Sequence, residues 1–281
     1  MALKAGSDFP RPVACRQRGI NLVELAITLL LAGLIVAAVI ILTAHYSQNS
    51  AQQERLVDLQ NNLRMASEHI ATRLRRSGYA TPEPLRAWLP ASWPDLAANP
   101  TVVQGAAGAP DELVVVSCSP RPQAFLSAPL AVNATHLELA SAVAGKSVAS
   151  LFDNGGRRLL KLMAGQDGSH GFASVVSVSG SGLEIDADPD TSGEQGFAAR
   201  GYYAGTPVCR LDIAHYRIDA TSGTLQINEY QGAGWQGFFD GIVDLQVEGS
   251  GPNYKIILAG RTEEASPVLR SQALSVTIRN P

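Results

Sequence analysis

"RQRGINLVELAITLLLAGLIVAAVIIL", Arg16 to Leu42, sets a single carboxylate, Glu24, near the start of an apolar run long enough to cross a bilayer. The run from Ile20 to Leu42 has about 23 residues, and at about 1.5 Å per residue a helix of that length spans the hydrocarbon core. Glu24 is its only formal charge. An acid inside a membrane segment is unfavourable by roughly 2.5 to 3.5 kcal/mol on insertion scales, so its presence asks for a compensating partner or a function. Ahead of the run, Lys4, Arg11, Arg16 and Arg18 stand against the lone Asp8. That basic leader stays cytoplasmic by the positive-inside rule, and the chain after Leu42 then faces the other side.

Three kinds of processing compete for this segment. A Sec signal peptide has an apolar stretch of about 7 to 15 residues followed by a small-residue cleavage site. This stretch is longer, and "TAHYSQNSA" after it offers no such site. Cys15 in "PVAC" precedes the apolar stretch, the reverse of the lipoprotein order. The third kind keeps the helix and cuts between Gly19 and Ile20, where the basic leader meets the first apolar residue, and so creates a new α-amino group.

"RGINLVELAITLLLAGLIV" resembles the class III signal of type IV pilins and type II secretion pseudopilins. The resemblance implies that a membrane prepilin peptidase cuts after Gly19, that the amine of Ile20 is methylated, and that Glu24 is the acid fifth in the mature chain. Glu24 would then neutralise the amino group of a neighbouring subunit as helices bundle in a growing filament. Physical chemistry agrees, because a carboxylate and an ammonium desolvated together attract more strongly than in water, whereas an unpaired buried charge is costly. Such a pair enforces register. The alternative is a plain single-pass anchor with a tolerated acid. Ile20 stands where phenylalanine is commonest in the family, and the leader is longer than in many pilins.

The helix is expected to run on to residue 79, because Leu56, Leu59, Leu63, Ala66, Ile70 and Leu74 recur at three- and four-residue steps. Arg73, Arg75 and Arg76 suit the helix dipole in the last turn, and Gly78 reads as the C-terminal stop. From Leu56 onward the stripe reads as packing against a sheet, and Ile20 to Tyr46 as a seam against partner helices. "LQNNLRMASEHIATRLRRSGYA", with "VCRLDIAHYRID", "FFDGIVDLQVEG" and the ending "LRSQALSVTIRNP", is similar to the PilW group of minor pilins and its secretion relative GspJ. That resemblance implies a non-enzymatic minor pilin that starts or caps a filament. Its partners would be other minor pilins, the major pilin, the prepilin peptidase, the inner-membrane assembly platform and a tip adhesin. It would sit in the inner membrane with its C-terminal region in the periplasm, and then in the pilus. The alternatives are a GspJ-like pseudopilin and a membrane-anchored periplasmic enzyme.

With 281 residues, 46% apolar and 17% charged, the chain suits one membrane helix and one globular region with a sizeable core. The net charge is −3 and becomes more negative once the basic leader is removed, which does not fit a nucleic-acid-binding surface. Residues 80–110 are rich in Pro and Ala and read as an irregular connector. From 111 to 281 the pattern is of strands: Leu113 to Ser117, Leu137 to Leu139, Ser174 to Ser179, Leu183 to Asp186, Leu211 to Ile218, Thr224 to Tyr230, Ile242 to Val247, Tyr254 to Ala259 and Ala273 to Arg279. "SGSG" and "DATSG" mark short turns between them and favour antiparallel hairpins. The expected fold is therefore α+β and type IV pilin-like, a long N-terminal membrane-spanning helix laid on antiparallel sheet with two sub-sheets. Its divisions are a removed leader at 1–19, a helix at 20–79 with its transmembrane part at 20–42, the connector, and the β-rich domain.

Chemistry-bearing patterns are few. His45, His69, His136, His170 and His215 fall at no metal-ligand spacing, and no nucleophile elbow or phosphate loop stands at a strand-to-helix junction. Gly232 to Gly237 reads as a turn. "IDADPDTSGEQ" sets Asp186, Asp188 and Asp190 at alternate positions, a candidate calcium cluster, yet Thr191 and Phe197 stand where an EF-hand needs glycine and glutamate. A solvated acidic turn is the simpler account, and no other cofactor is expected. Once Cys15 leaves with the leader, Cys118 and Cys209 remain in an oxidising compartment, either bridged or as two separate thiols.

Overall fold

The computed structural model describes residues 22–77, 93, 99–106, 108–118, 123–152, 158–163, 171–188, 196–197, 201–230, 234–262 and 267–278. The chain divides into two compact units, Met1–Glu54 and Arg55–Pro281. The first contains the start of helix α1 (Leu22–Arg76), and every described residue of that unit is exposed. Leu22 is 82% exposed and Leu29 66%. Apolar side chains cover its surface on all sides, and its two threonines return their hydroxyls to the helix itself. Thr28 Oγ1 donates to Leu25 O at 2.9 Å and Thr43 Oγ1 to Val39 O at 2.8 Å. Both hydroxyls are thus satisfied within the helix, as a lipid or helix-bundle environment requires, and Glu24 is the charged side chain of the stretch.

In the second unit α1 continues and carries one buried stripe, Leu59, Leu63, Ala66, Ile70 and Leu74, with Leu56 half-buried. The stripe packs on antiparallel sheet, as its period requires. The strands are β1 (Thr101–Val103), β2 (Glu112–Cys118), β3 (Ala124–Leu126), β4 (His136–Ser141), β5 (Arg158–Leu162), β6 (Gly171–Ser179), β7 (Gly182–Asp186), β8 (Pro207–Asp219), β9 (Thr224–Glu229), β10 (Gln236–Asp240), β11 (Ile242–Ser250), β12 (Asn253–Arg261) and β13 (Leu269–Thr277). A short helix, α2 (Val148–Phe152), lies between β4 and β5. The fold is α+β, and the described strands form two sheets, of ten and three strands.

Strand β8 organises the larger sheet, because its two halves have different neighbours. Its C-terminal half pairs with β2 on one side, Val115 facing Ala214, and with β9 on the other, Tyr216 facing Ile227. With β1 outside β2 and β10 outside β9, this is a five-stranded antiparallel sheet. The N-terminal half pairs with β3 through Ala124 and Val208, and with β5 through Leu162 and the same Val208. The pairs β3–β4, β4–β7, β7–β6 and β6–β5 complete a ring. Six strands therefore close into a small barrel with no open edge. Leu126, Leu139, Leu160, Leu162, Ile185 and Val208 point into it, with Phe152 of α2 and the fully buried Tyr202.

Strand β2 is buried on both faces, which explains its unbroken apolar run "LVVV". Leu113 and Val115 meet α1, while Val114, Val116 and Cys118 meet Trp93, Leu159 and Leu211 behind the sheet. The three-stranded sheet β11-β12-β13 lays Leu245, Val247, Ile256, Leu258 and Val276 on the same helix-side core. The helix approaches β12 at Gly260, where a Cβ would stand 2.7 Å from Leu59 Cδ1.

Several elements differ from the sequence expectation. Strand β1 lies in the stretch read as connector, and β3, β5, β10 and α2 have no counterpart among the strands and helix read from the sequence; all are short. Strand β10 begins at Gln236, inside the stretch read as a turn. The helix ends at Arg76, after which Ser77 bridges Ser117; Gly78 lies outside the described residues.

Candidate assembly surface

Glu24 sits in the first turn of α1, exposed. Gly19 and Ile20 lie outside the described residues. Around and beyond it, Leu25, Leu31, Leu34, Ile35 and Ile41 are each at least half exposed. An 18-residue window of α1 is apolar enough to cross a membrane, and none of it is buried within the protein. α1 is a candidate membrane anchor. Comparison with family profiles, curated proteins and solved structures returned no match.

Cys118 and Cys209 are joined in a disulfide with Cα atoms 6.1 Å apart. Cys118 faces Leu211 across the β2–β8 ladder, and Cys209 lies two residues back on the same face of β8, so the bridge links diagonal neighbours. Both sulfurs are sealed in the cluster behind the sheet.

The acidic cluster is only partly described. The Asp186 carboxylate accepts the backbone N–H of Asp188 at 3.1 Å, an Asx-type turn that closes the end of β7. Asp190 lies outside the described residues. Among the described residues no three His, Cys, Asp or Glu side chains converge as a metal site would need.

The fold also assembles polar groups from distant parts of the chain. Buried Asp111 accepts Gly105 N–H at 3.0 Å on one carboxylate oxygen and Val247 N–H at 2.8 Å on the other, while its own N–H donates to Leu245 O at 2.7 Å. One side chain thus ties the segment before β2 along the outer edge of β11. His215 Nε2 lies 2.8 Å from Glu112 Oε2, with Trp93 and Trp235 packed on the imidazole and the Arg217 guanidinium over Trp235. Burial holds the His215 pKa below its ordinary value despite the carboxylate. On the helix side, Arg73 pairs with Glu229 at 2.5 Å beside His69 and Tyr216, whose ring centroids are 6.0 Å apart. His69 Nε2 and the Tyr216 hydroxyl are buried without a hydrogen-bond partner among the described residues. Burial, reinforced by Arg73, lowers the His69 pKa, and burial raises that of Tyr216. Lys161 faces outward from the barrel, is fully buried and opposes Cys209 across β5–β8; burial pushes its pKa down to about 8. These groups bring together segments far apart in the chain, as His215 with Glu112 and Arg73 with Glu229, so no local spacing signals them. Only Asp111, an acid between Pro110 and an apolar strand, leaves any trace in the sequence.

Proposed function

We propose that this chain is a minor pilin of the PilW kind, which helps to start or cap a type IV pilus after prepilin peptidase removes residues 1–19. The observation that carries this reading is the first part of α1, Leu22 to Leu42: apolar on all sides and unburied by its own protein, with one carboxylate in its first turn, directly after the Gly19–Ile20 signal. A surface of that kind needs either lipid or the helices of other subunits. A filament supplies the second after the membrane supplies the first. Glu24 would answer the amine of a neighbouring subunit, and the β-rich unit would contact other minor pilins or a tip adhesin.

The end of a filament is the favoured position. A repeated subunit must fit its globular part against copies of itself along the whole fibre, whereas a tip subunit meets one layer of partners. A barrel, a five-stranded sheet and a three-stranded sheet on one helix make a large, irregular part that is more easily placed at an end. Deleting the gene is expected to remove most surface pili and twitching, while mass spectrometry of sheared wild-type filaments finds this chain in trace amount. Abundance equal to the major subunit would overturn the capping role. Normal piliation with failed protein secretion would assign the chain to a secretion pseudopilus instead.

A further inference from the structure

The two edges of the three-stranded sheet are treated differently. The outer edge of β11 is occupied: Asp111 takes up Val247 N–H and Leu245 O, and Gln246 Nε2 donates to Ala109 O at 3.1 Å. Strand β13 pairs with β12 over nine residues, and among the described residues nothing pairs with its other side.

Which backbone groups that edge offers follows from the ladder. Thr262 N–H donates to Val268 O, and Ile278 N–H to Pro252 O. Both couples continue the β12–β13 register, so they mark its hydrogen-bonded pairs, and these recur at every second residue. Arg270, Gln272, Leu274 and Val276 therefore turn their N–H and C=O toward β12. Leu269, Ser271, Ala273, Ser275 and Thr277 turn theirs outward, and all five are exposed. A long edge of this kind invites another strand unless a bulge, a proline or charges blunt it. Strand β10, the edge of the five-stranded sheet, has a bulge between Gly237 and Phe239. Strand β13 has an unbroken register, no proline and one charge, Arg270.

We infer that β13 is a pairing edge for a second copy of this chain, joined antiparallel about Ala273. The edge is self-complementary. With Ala273 facing Ala273 of the second copy, Ser271 faces Ser275 and Leu269 faces Thr277, and each facing pair exchanges two backbone hydrogen bonds. Every outward N–H and C=O of the strand is then satisfied. Four of the side chains on that face, Ser271, Ala273, Ser275 and Thr277, are small and Leu269 stands at the strand's end, so nothing obstructs approach at its centre. Arg270 falls opposite Val276, and no like charges meet. The joined sheet runs β11-β12-β13 into its symmetry mate and ends on both sides at an edge that Asp111 already covers. A strand with like charges at symmetric positions could not pair with itself in this way. The pairing is independent of whether the chain enters a filament.

The test uses the full chain in its native membrane, in a Cys15→Ser background, with Cys118 and Cys209 left bridged. Facing Ala273 positions would lie about 5.5 Å apart, within disulfide reach, whereas Glu248 positions would be roughly 28 Å apart. Mild oxidation is expected to convert Ala273→Cys to a species of doubled mass and to leave Glu248→Cys monomeric. Ala273→Pro removes an outward N–H and no bond to β12, so it should shift the detergent-solubilised chain from dimer to monomer mass with its thermal unfolding retained. No doubled species from Ala273→Cys, equal doubling from both cysteines, or an adduct with a protein of another mass would each overturn the pairing. If Ala273→Pro fails to fold, the two cysteine variants decide it.

Discussion

Gly260 and Leu59 are in contact that leaves no room for a side chain: a Cβ on Gly260 would stand 2.7 Å from Leu59 Cδ1 and 2.7 Å from the Gly241 carbonyl oxygen. The leucine could turn aside, but the carbonyl belongs to a turn whose glycine holds a φ of +77°. Gly260→Ala should therefore lower stability by about 1 to 3 kcal/mol through overpacking where α1 meets β12. A fall in the urea midpoint at constant m value checks this, and an unchanged midpoint would mean that the helix is seated elsewhere.

Asp111 holds two backbone donors with one buried carboxylate. Asp111→Ala leaves both N–H groups without their charged acceptor, and a loss of about 2 to 3 kcal/mol is expected. Amide hydrogen exchange should localise the effect, with Val247 and Gly105 losing protection while the barrel keeps its own.

The Cys118–Cys209 bridge closes a loop with a sequence separation of 91. Thiol labelling of the mature, unfolded, unreduced protein should find no free cysteine. Cys118→Ser should then cost about 2 to 4 kcal/mol, chiefly by freeing the unfolded chain. Two reactive thiols in the mature protein would reject the bridge.

Acid should destabilise the β-rich unit through two histidines. Burial lowers the pKa of both His69 and His215 from 6.5, so below that pH the unfolded chain takes up protons that the native one resists. Their contribution is complete above about pH 6.5 and falls as the pH drops through the lower native values. His136, raised by its hydrogen bond to Glu184, acts in the opposite sense, but it lies at the surface, where solvent screens it. The melting temperature should decline from pH 7 to 5, and His69→Leu should flatten part of that decline. An unaltered slope in the variant would remove His69 from the account.

The long helix is legible because its stripe repeats locally: Leu59, Leu63, Ala66, Ile70 and Leu74 declare a face from spacing alone, and that face is buried. Strands β2, β8, β11 and β12 are equally visible as extended apolar runs between turns. The barrel is not. Its closure depends on Val208 having Ala124 on one side and Leu162 on the other, a meeting of three distant segments, and β3 has only three residues. Strand β5, "RLLKL", places a lysine inside an apolar run, and only the surrounding fold explains why Lys161 is buried. Glu24 stands out because a lone acid in a bilayer-length run violates the composition around it. His215 and Glu112 do not, because nothing in their own neighbourhoods marks either of them.

Strands β3 to β7 and helix α2 all fall between Cys118 and Cys209, so most of the barrel is one excursion whose two ends are held 6.1 Å apart. Chain ends that close together are what a cassette needs for insertion or exchange. Remove the excursion and β2 could turn directly into β8, still paired from Leu113 to Cys118 and still resting on α1. Leu159 and Phe172, which lean on the Trp93 cluster, are the contacts there that a substitute would have to replace. The helix and its sheets can therefore be held constant while the ninety-odd residues beyond the disulfide vary in length or sequence, giving one anchored frame a choice of heads.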